Sequence, residues 1–175
     1  MVIAVSKRRM MADVKIRLGT MEDIGVLAEI ISSSFHDVAE RFGLTQENCP
    51  KHPSQCTVDW VQRDIERGVR YFILEDQGLA SGCVALEMTS LELCYLERLA
   101  VLPHQRHRGF GRALVDHVLA KAKDSGAHQV SIGIIAEQTE LKTWYQKIGF
   151  VEIETKKFAH LPFEVTFMSY GTLIT

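Results

Sequence analysis

The sequence has no excess of either charge: 20 lysines and arginines stand against 22 aspartates and glutamates, for a formal net charge of -2. So even a balance excludes the broad basic field that nucleic-acid binding needs, leaving room only for a local anion site, and no nucleic-acid partner is expected. Cysteine is sparse too, with four residues, at 49, 56, 83 and 94. Cys83 and Cys94 fall inside apolar, strand-like runs, where a buried thiol behaves as a small hydrophobe. With no secretory signal ahead of them, the reading is a reducing, cytoplasmic setting rather than a disulfide scaffold. Long hydrophobic runs are missing as well. Met1 to Met11 holds a short apolar run followed by Lys7, Arg8 and Arg9. That order is reversed for a signal peptide and the run is too short for a bilayer, so no membrane partner is expected. Residues 1–12 read as a mobile leader, with Met1, Met10 or Met11 as the start, and residues 13–175 as a single domain.

What is present is an ordinary globular composition, 46% hydrophobic and 24% charged over 175 residues, enough for one real core. Val14 to Leu18 alternates as a strand. Thr20, with Glu22 and Asp23 after it, opens a helix over about residues 21–32, carried by Ile24, Leu27, Ala28 and Ile31. Residues to about 55 are irregular around Gly43, Pro50 and Pro53, with at most a short helical turn. Such a segment often shapes a binding site. Thr57 starts a second helix on Val58, Val61 and Ile65, and Gly68 stops it. Three strands are predicted at 69–75, 79–88 and 91–101, the first two joined by a turn at Asp76-Gln77-Gly78. A helix over 112–123, a strand over 130–135, a helix over 140–147 and an antiparallel pair at 150–157 and 164–170 complete a mixed α/β order.

Between the third of those strands and the helix that follows lies Arg106-His107-Arg108-Gly109-Phe110-Gly111. Glycines there let the backbone bend tightly and let a ligand approach without a Cβ in the way. The loop amides and the first turn of the helix converge on an anion, and Arg106, Arg108 and Arg112 can add charge. The lysine and serine or threonine of a nucleotide-triphosphate loop are absent, and so is the third glycine of a dinucleotide fingerprint. The residues therefore specify a pyrophosphate-like anion at a helix start without saying which. Cys49-x-x-His52-x-x-x-Cys56 matches no zinc spacing and lacks a fourth ligand, so no metal is expected.

The run Leu99-Ala100-Val101-Leu102-Pro103-His104-Gln105-Arg106-His107-Arg108-Gly109-Phe110-Gly111-Arg112-Ala113-Leu114 resembles the signature of the GCN5-related N-acetyltransferases (GNAT). Trp144-Tyr145-Gln146-Lys147-Ile148-Gly149-Phe150 resembles that family's late element, at compatible spacing. The resemblance implies a GNAT-like acyl-CoA acyltransferase fold of mixed α+β class: a mostly antiparallel sheet, two central parallel strands that splay apart, and flanking helices. It implies acetyl-CoA as the acyl donor, with Leu99, Val101, Gln105, Arg106, Arg108, Gly109, Gly111 and Arg112 as contacts. Gln138 stands where the family often has asparagine and is a further contact. Tyr145 occupies the family's usual general-acid position.

Amine acetylation also needs a base. Glu97 interrupts an apolar strand two residues before Leu99, so strict alternation puts it on one face with Leu99 and Val101, beside the expected cleft. His36 and Asp37 are candidates for the acceptor pocket, whose mouth Asp37, Glu40 and Glu47 make attractive to a cation. The acceptor is read as a primary amine of a small molecule or a protein, and the chain as a possible homodimer through its last strands. The alternative from another class is a non-catalytic acyl-CoA-binding or sensing module.

Overall fold

A computed structural model describes residues 13–173, so the expected leader at 1–12 lies outside the described residues. A seven-stranded sheet runs through it, made of β1 (Val14–Leu18), β2 (Arg70–Asp76), β3 (Leu79–Met88), β4 (Leu93–Val101), β5 (Gln129–Ile135), β6 (Val151–Lys157) and β7 (Glu164–Gly171), in the order β1-β2-β3-β4-β5-β7-β6. Every neighbouring pair is antiparallel except β4–β5, which is parallel. The β2–β3 turn is made by Gln77 and Gly78, both at positive φ, the geometry that suits a tight hairpin.

The helices are α1 (Ile24–Ser34), α2 (His36–Phe42), α3 (Val58–Glu66), α4 (Phe110–Asp124) and α5 (Thr139–Ile148). The first begins later than its pattern predicts. Met21–Asp23 forms a tight 3-10 turn, in which Thr20 and Asp23 cap each other's free amides. Ser32 does not end α1, because its hydroxyl donates back to the Ala28 carbonyl at 2.8 Å. Helix α2 is a regular element where the sequence indicated only a turn. Gly43, at φ +61°, ends it, in the conformation that glycine adopts most readily.

The sheet separates two cores. Leu114, Val115 and Val118 of α4 and Tyr145 of α5 cover one face, against Phe72, Val84, Leu96 and Ile132. Leu27, Ile31 and Val61, from α1 and α3, cover part of the other, against Tyr71, Ile73, Cys83, Ala85 and Ala100. A smaller cluster brings Ala39, Leu44 and Cys49 onto Ile135 at the end of β5, with Leu161 and Phe163 of the β6–β7 connection beside it. Among the described residues, no helix is long and apolar enough to cross a membrane.

One expectation of strict alternation fails in β4. Cys83 pairs with Ala100 but Ala85 pairs with Glu97, so Arg98 and Leu99 together oppose Val84. Arg98 sits at φ +50°, the mark of a β-bulge, and the side-chain parity of the strand reverses there. Leu96, Leu99 and Val101 consequently belong to the α4–α5 face, while Glu97, opposite Ala85, lies on the α1–α3 face with Ala100. Glu97 does not share a face with Leu99 and Val101.

Candidate active site

β4 and β5 are joined through Leu93–Gln129, Cys94–Val130 and Tyr95–Ser131. Beyond Tyr95 they part, and the bulge at Arg98 turns β4 away along the open stretch. Gly82 of β3 accommodates that turn: a Cβ there would stand 2.8 Å from the Ala100 carbonyl oxygen. The gap between the strands therefore opens toward the loop that follows β4.

Pro103–Gln105 forms a single 3-10 turn after the strand. His107 (φ +63°) and Gly109 (φ +82°) then take the left-handed conformation, which rotates successive amides toward one side. Among the described residues, the backbone amides of His107 through Arg112 donate to no carbonyl or side chain; the first bond in α4 runs from the Ala113 amide to Gly109. A Cβ at Gly111 would meet Trp144 at 3.6 Å, an ordinary contact, so packing does not demand glycine there. What the missing side chain leaves bare is the amide row.

The arginines are placed differently from a simple ring of anion ligands. Arg106 donates to the Val101 carbonyl (3.2 Å), the Ser34 carbonyl (2.7 Å) and the Asp37 carboxylate (2.6 Å). It thus ties the loop to the α1–α2 junction. Arg108 donates to Asp76 at 2.7 Å and to Gln105, with its guanidinium 4.6 Å from the Phe110 ring centroid. Arg112 pairs with Asp116 at 2.9 Å on the exposed face of α4. Each guanidinium holds a carboxylate, and the backbone amides are the donors left free.

Glu97 lies in a polar network that sequence reasoning missed. Asp64 of α3, buried, accepts from the Tyr71 hydroxyl (2.6 Å), from Arg67 (2.9 Å) and from Arg98. Arg67 also reaches Glu87 of β3, and Arg98 lies 5.7 Å from the Trp60 ring centroid. Burial, and then the Glu87 carboxylate beside it, push the Glu97 carboxyl above the usual carboxylate range; Arg98 opposes this without reversing it. A signal for Asp64 was present: it falls on the apolar stripe of α3, three residues after Val61.

On the opposite face, Tyr145 is buried between Trp144 and Phe150, at ring-centroid distances of 4.9 and 5.2 Å. Burial raises its phenol well above the ordinary value. Gln138 caps α5 through its backbone while its half-buried side chain makes no cap bond, leaving that amide available. Leu99 and Val101 pack partly buried against the α4–α5 core. The acceptor candidates diverge. His36 is exposed and stands 3.3 Å from Glu40, whereas Asp37 is held by Arg106, which also keeps its carboxyl below the usual range. Cys49 and Cys56 are buried in separate apolar clusters. Among the described residues, no three His, Cys, Asp or Glu side chains converge as metal ligands.

Residues 67–152 match the family described as an acetyltransferase (GNAT) domain. An uncharacterised N-acetyltransferase of Chlorobaculum tepidum is 29% identical over 98 residues, which is 56% of this chain and 60% of that relative, so the match spans less than two thirds of the relative's length. The ribosomal-protein-S18-alanine N-acetyltransferase of Escherichia coli superposes with a TM-score of 0.74 at 14% identity, over 93% of this chain and 96% of that one. A GNAT family acetyltransferase of Elizabethkingia anophelis, solved with acetyl-CoA bound, gives 0.66 at 14% identity, over 91% and 98%. The split sheet, the glycine loop at its open end and the matched segment that contains both lead to one assignment: residues 67–152 match the acetyltransferase (GNAT) domain, and the chain has the GNAT fold.

Proposed function

We propose that the chain transfers the acetyl group of acetyl-CoA to a primary amine. The observation that carries this reading is the row of unpaired amides from His107 to Arg112 at the open end of the β4–β5 gap. A pyrophosphate on those amides leaves the pantetheine arm to run into the gap along Leu99 and Val101, with Gln138 beside it. The acetyl-CoA bound in the Elizabethkingia relative supports the choice of anion. Arg106 and Arg108 shape the loop, and Arg112 is the guanidinium best exposed to reach a phosphate.

Glu97 and Tyr145 flank the sheet from opposite faces. In the proposed reaction the acceptor ammonium gives one proton to the Glu97 carboxylate, and the neutral nitrogen attacks the thioester carbonyl. The new C–N bond forms, the intermediate loses its second N–H proton to solvent, and the C–S bond breaks. The departing CoA thiolate takes a proton from Tyr145, whose phenol is protonated at neutral pH and regains its proton from solvent after the thiol leaves. The buried free thiols support a reducing cytoplasmic setting. Two copies are expected to meet along the edge strand β6, where Val151 stands 63% exposed.

Two measurements test the reading: calorimetric binding of acetyl-CoA, and thiol release from acetyl-CoA over a panel of amines. Gly109→Ala should weaken acetyl-CoA binding about tenfold by disturbing the left-handed turn. Unchanged affinity in that variant sinks the loop assignment. Binding with no turnover on any amine instead points to an acyl-CoA-binding module.

A further inference from the structure

A cleft of about 250 Å³ lies on the sheet face opposite α4 and α5, floored by Tyr95 of β4 and Ser131 of β5, the last pair before the strands part. Phe167 of β7 and Phe158, just after β6, wall it, with ring centroids 6.3 Å apart and planes at 77°. A second bulge shapes its rim. Glu152 pairs with Met168 and Glu154 with Phe167, so Ile153 is extra and is brought to the cleft together with Glu154. Tyr95 pairs with Glu87 and Glu97 with Ala85, with no irregularity between, so Glu97 stands on the cleft's face of the sheet, one alternation further along β4. The reversal of parity at Arg98 comes after it and sends Leu99 and Val101 to the other face.

Resting on the acetyl-transfer reading, we infer that this cleft is the acceptor pocket and that it selects a small primary amine carried on an aromatic body. Its volume is below the roughly 300–1,000 Å³ of drug-sized pockets, which suits a single ring and a short linker. Phe158 and Phe167 meet edge to face and together present an aromatic wall against which a further ring can pack. The charges on the rim cancel: Lys156 and Glu154 are bridged at 2.8 Å, so that wall gives a second ammonium no net attraction. Toward the strand gap the same face carries Glu97, with Glu87 beside it held by Arg67. An aromatic amine seated against the phenylalanines directs its ammonium to that end. A polyamine leaves its second charge against apolar rings, and a protein terminus brings more bulk than the cleft holds.

The test uses the full chain and acetyl-CoA with 2-phenylethylamine, n-butylamine, spermidine and a short peptide with a free amino terminus. The 2-phenylethylamine kcat/KM should exceed each of the others by about tenfold, the order expected for burying one ring. Phe167→Ala should lower it by about tenfold and change n-butylamine less than about threefold. Ser131→Leu fills the floor, and should abolish calorimetric binding of 2-phenylethylamine while acetyl-CoA still binds. Preference for spermidine or the peptide, or 2-phenylethylamine binding unchanged in both variants, overturns the inference. Turnover of another amine with no binding of 2-phenylethylamine removes the pocket and leaves acetyl transfer standing. Binding of 2-phenylethylamine that Ser131→Leu abolishes, with no amine turned over, upholds the pocket and removes the transfer reading.

Discussion

Glu97 holds its proton to a higher pH than an exposed glutamate, because it is half-buried and faces a second carboxylate. For a carboxyl whose folded-state pKa is raised, the associated stability is full below the unfolded value and is lost as pH climbs through the folded one. Catalysis runs the other way, since a base must first lose its proton. Turnover should therefore rise with pH through the elevated Glu97 pKa. Glu97→Gln should remove that rising limb and lower kcat by about 10²–10³-fold, while thermal melting at neutral pH stays at or above that of the parent. A purely structural ion pair would give the opposite stability result. The charge in an apolar strand was legible in the sequence. The face was not, because nothing in a Glu-Arg-Leu triplet announces that the arginine will take a positive φ.

The same limit recurs for whole elements. Strand β3 appears with the bounds its alternation predicts, and α3 follows its apolar spacing from Thr57 to Gly68. Both are read from short periods in the chain. Irregularity is set by partners instead: β4 bulges where it meets Gly82 and Val84, and that cannot be read along one strand. The loop after β4 was recognisable by its glycines, yet its arginines proved to be occupied by Asp37, Asp76 and Asp116, which are distant in sequence or lie on the next helical turn. The link from α3 to the bulge yields a direct prediction. Asp64→Ala leaves Arg98 largely buried without its carboxylate and should cost about 3 kcal/mol or more in urea unfolding. Gly109→Ala, free of clashes but held at φ +82°, should cost only about 1 kcal/mol.

Across the molecule, the order of strands and helices was legible because an apolar face shows in sequence at a fixed period, and the two cores use those faces as read. The acceptor side was not. The cleft proposed for it is assembled from β4, β5, β7 and the chain beyond β6, and the segment expected from sequence is partly engaged in holding Arg106. The burial pattern itself can be checked through the thiols. All four cysteines are free and buried, and burial pushes Cys56 and Cys94 up to about 11. A disulfide reagent at neutral pH should find the native chain nearly inert and titrate four thiols after denaturation. Rapid reaction of even one native thiol would contradict the packing described.

The hold of Arg106 on Ser34 and Asp37 has a consequence for anyone exchanging substrate specificity between relatives. The anion loop takes its position from the end of α1 and the start of α2, so those residues travel with the donor half of the molecule. A graft that replaces residues 38–56 leaves the anchor intact and should give a chimera that still binds acetyl-CoA. One whose seam falls before Ser34, and so removes Asp37, unfastens the donor loop in the same cut.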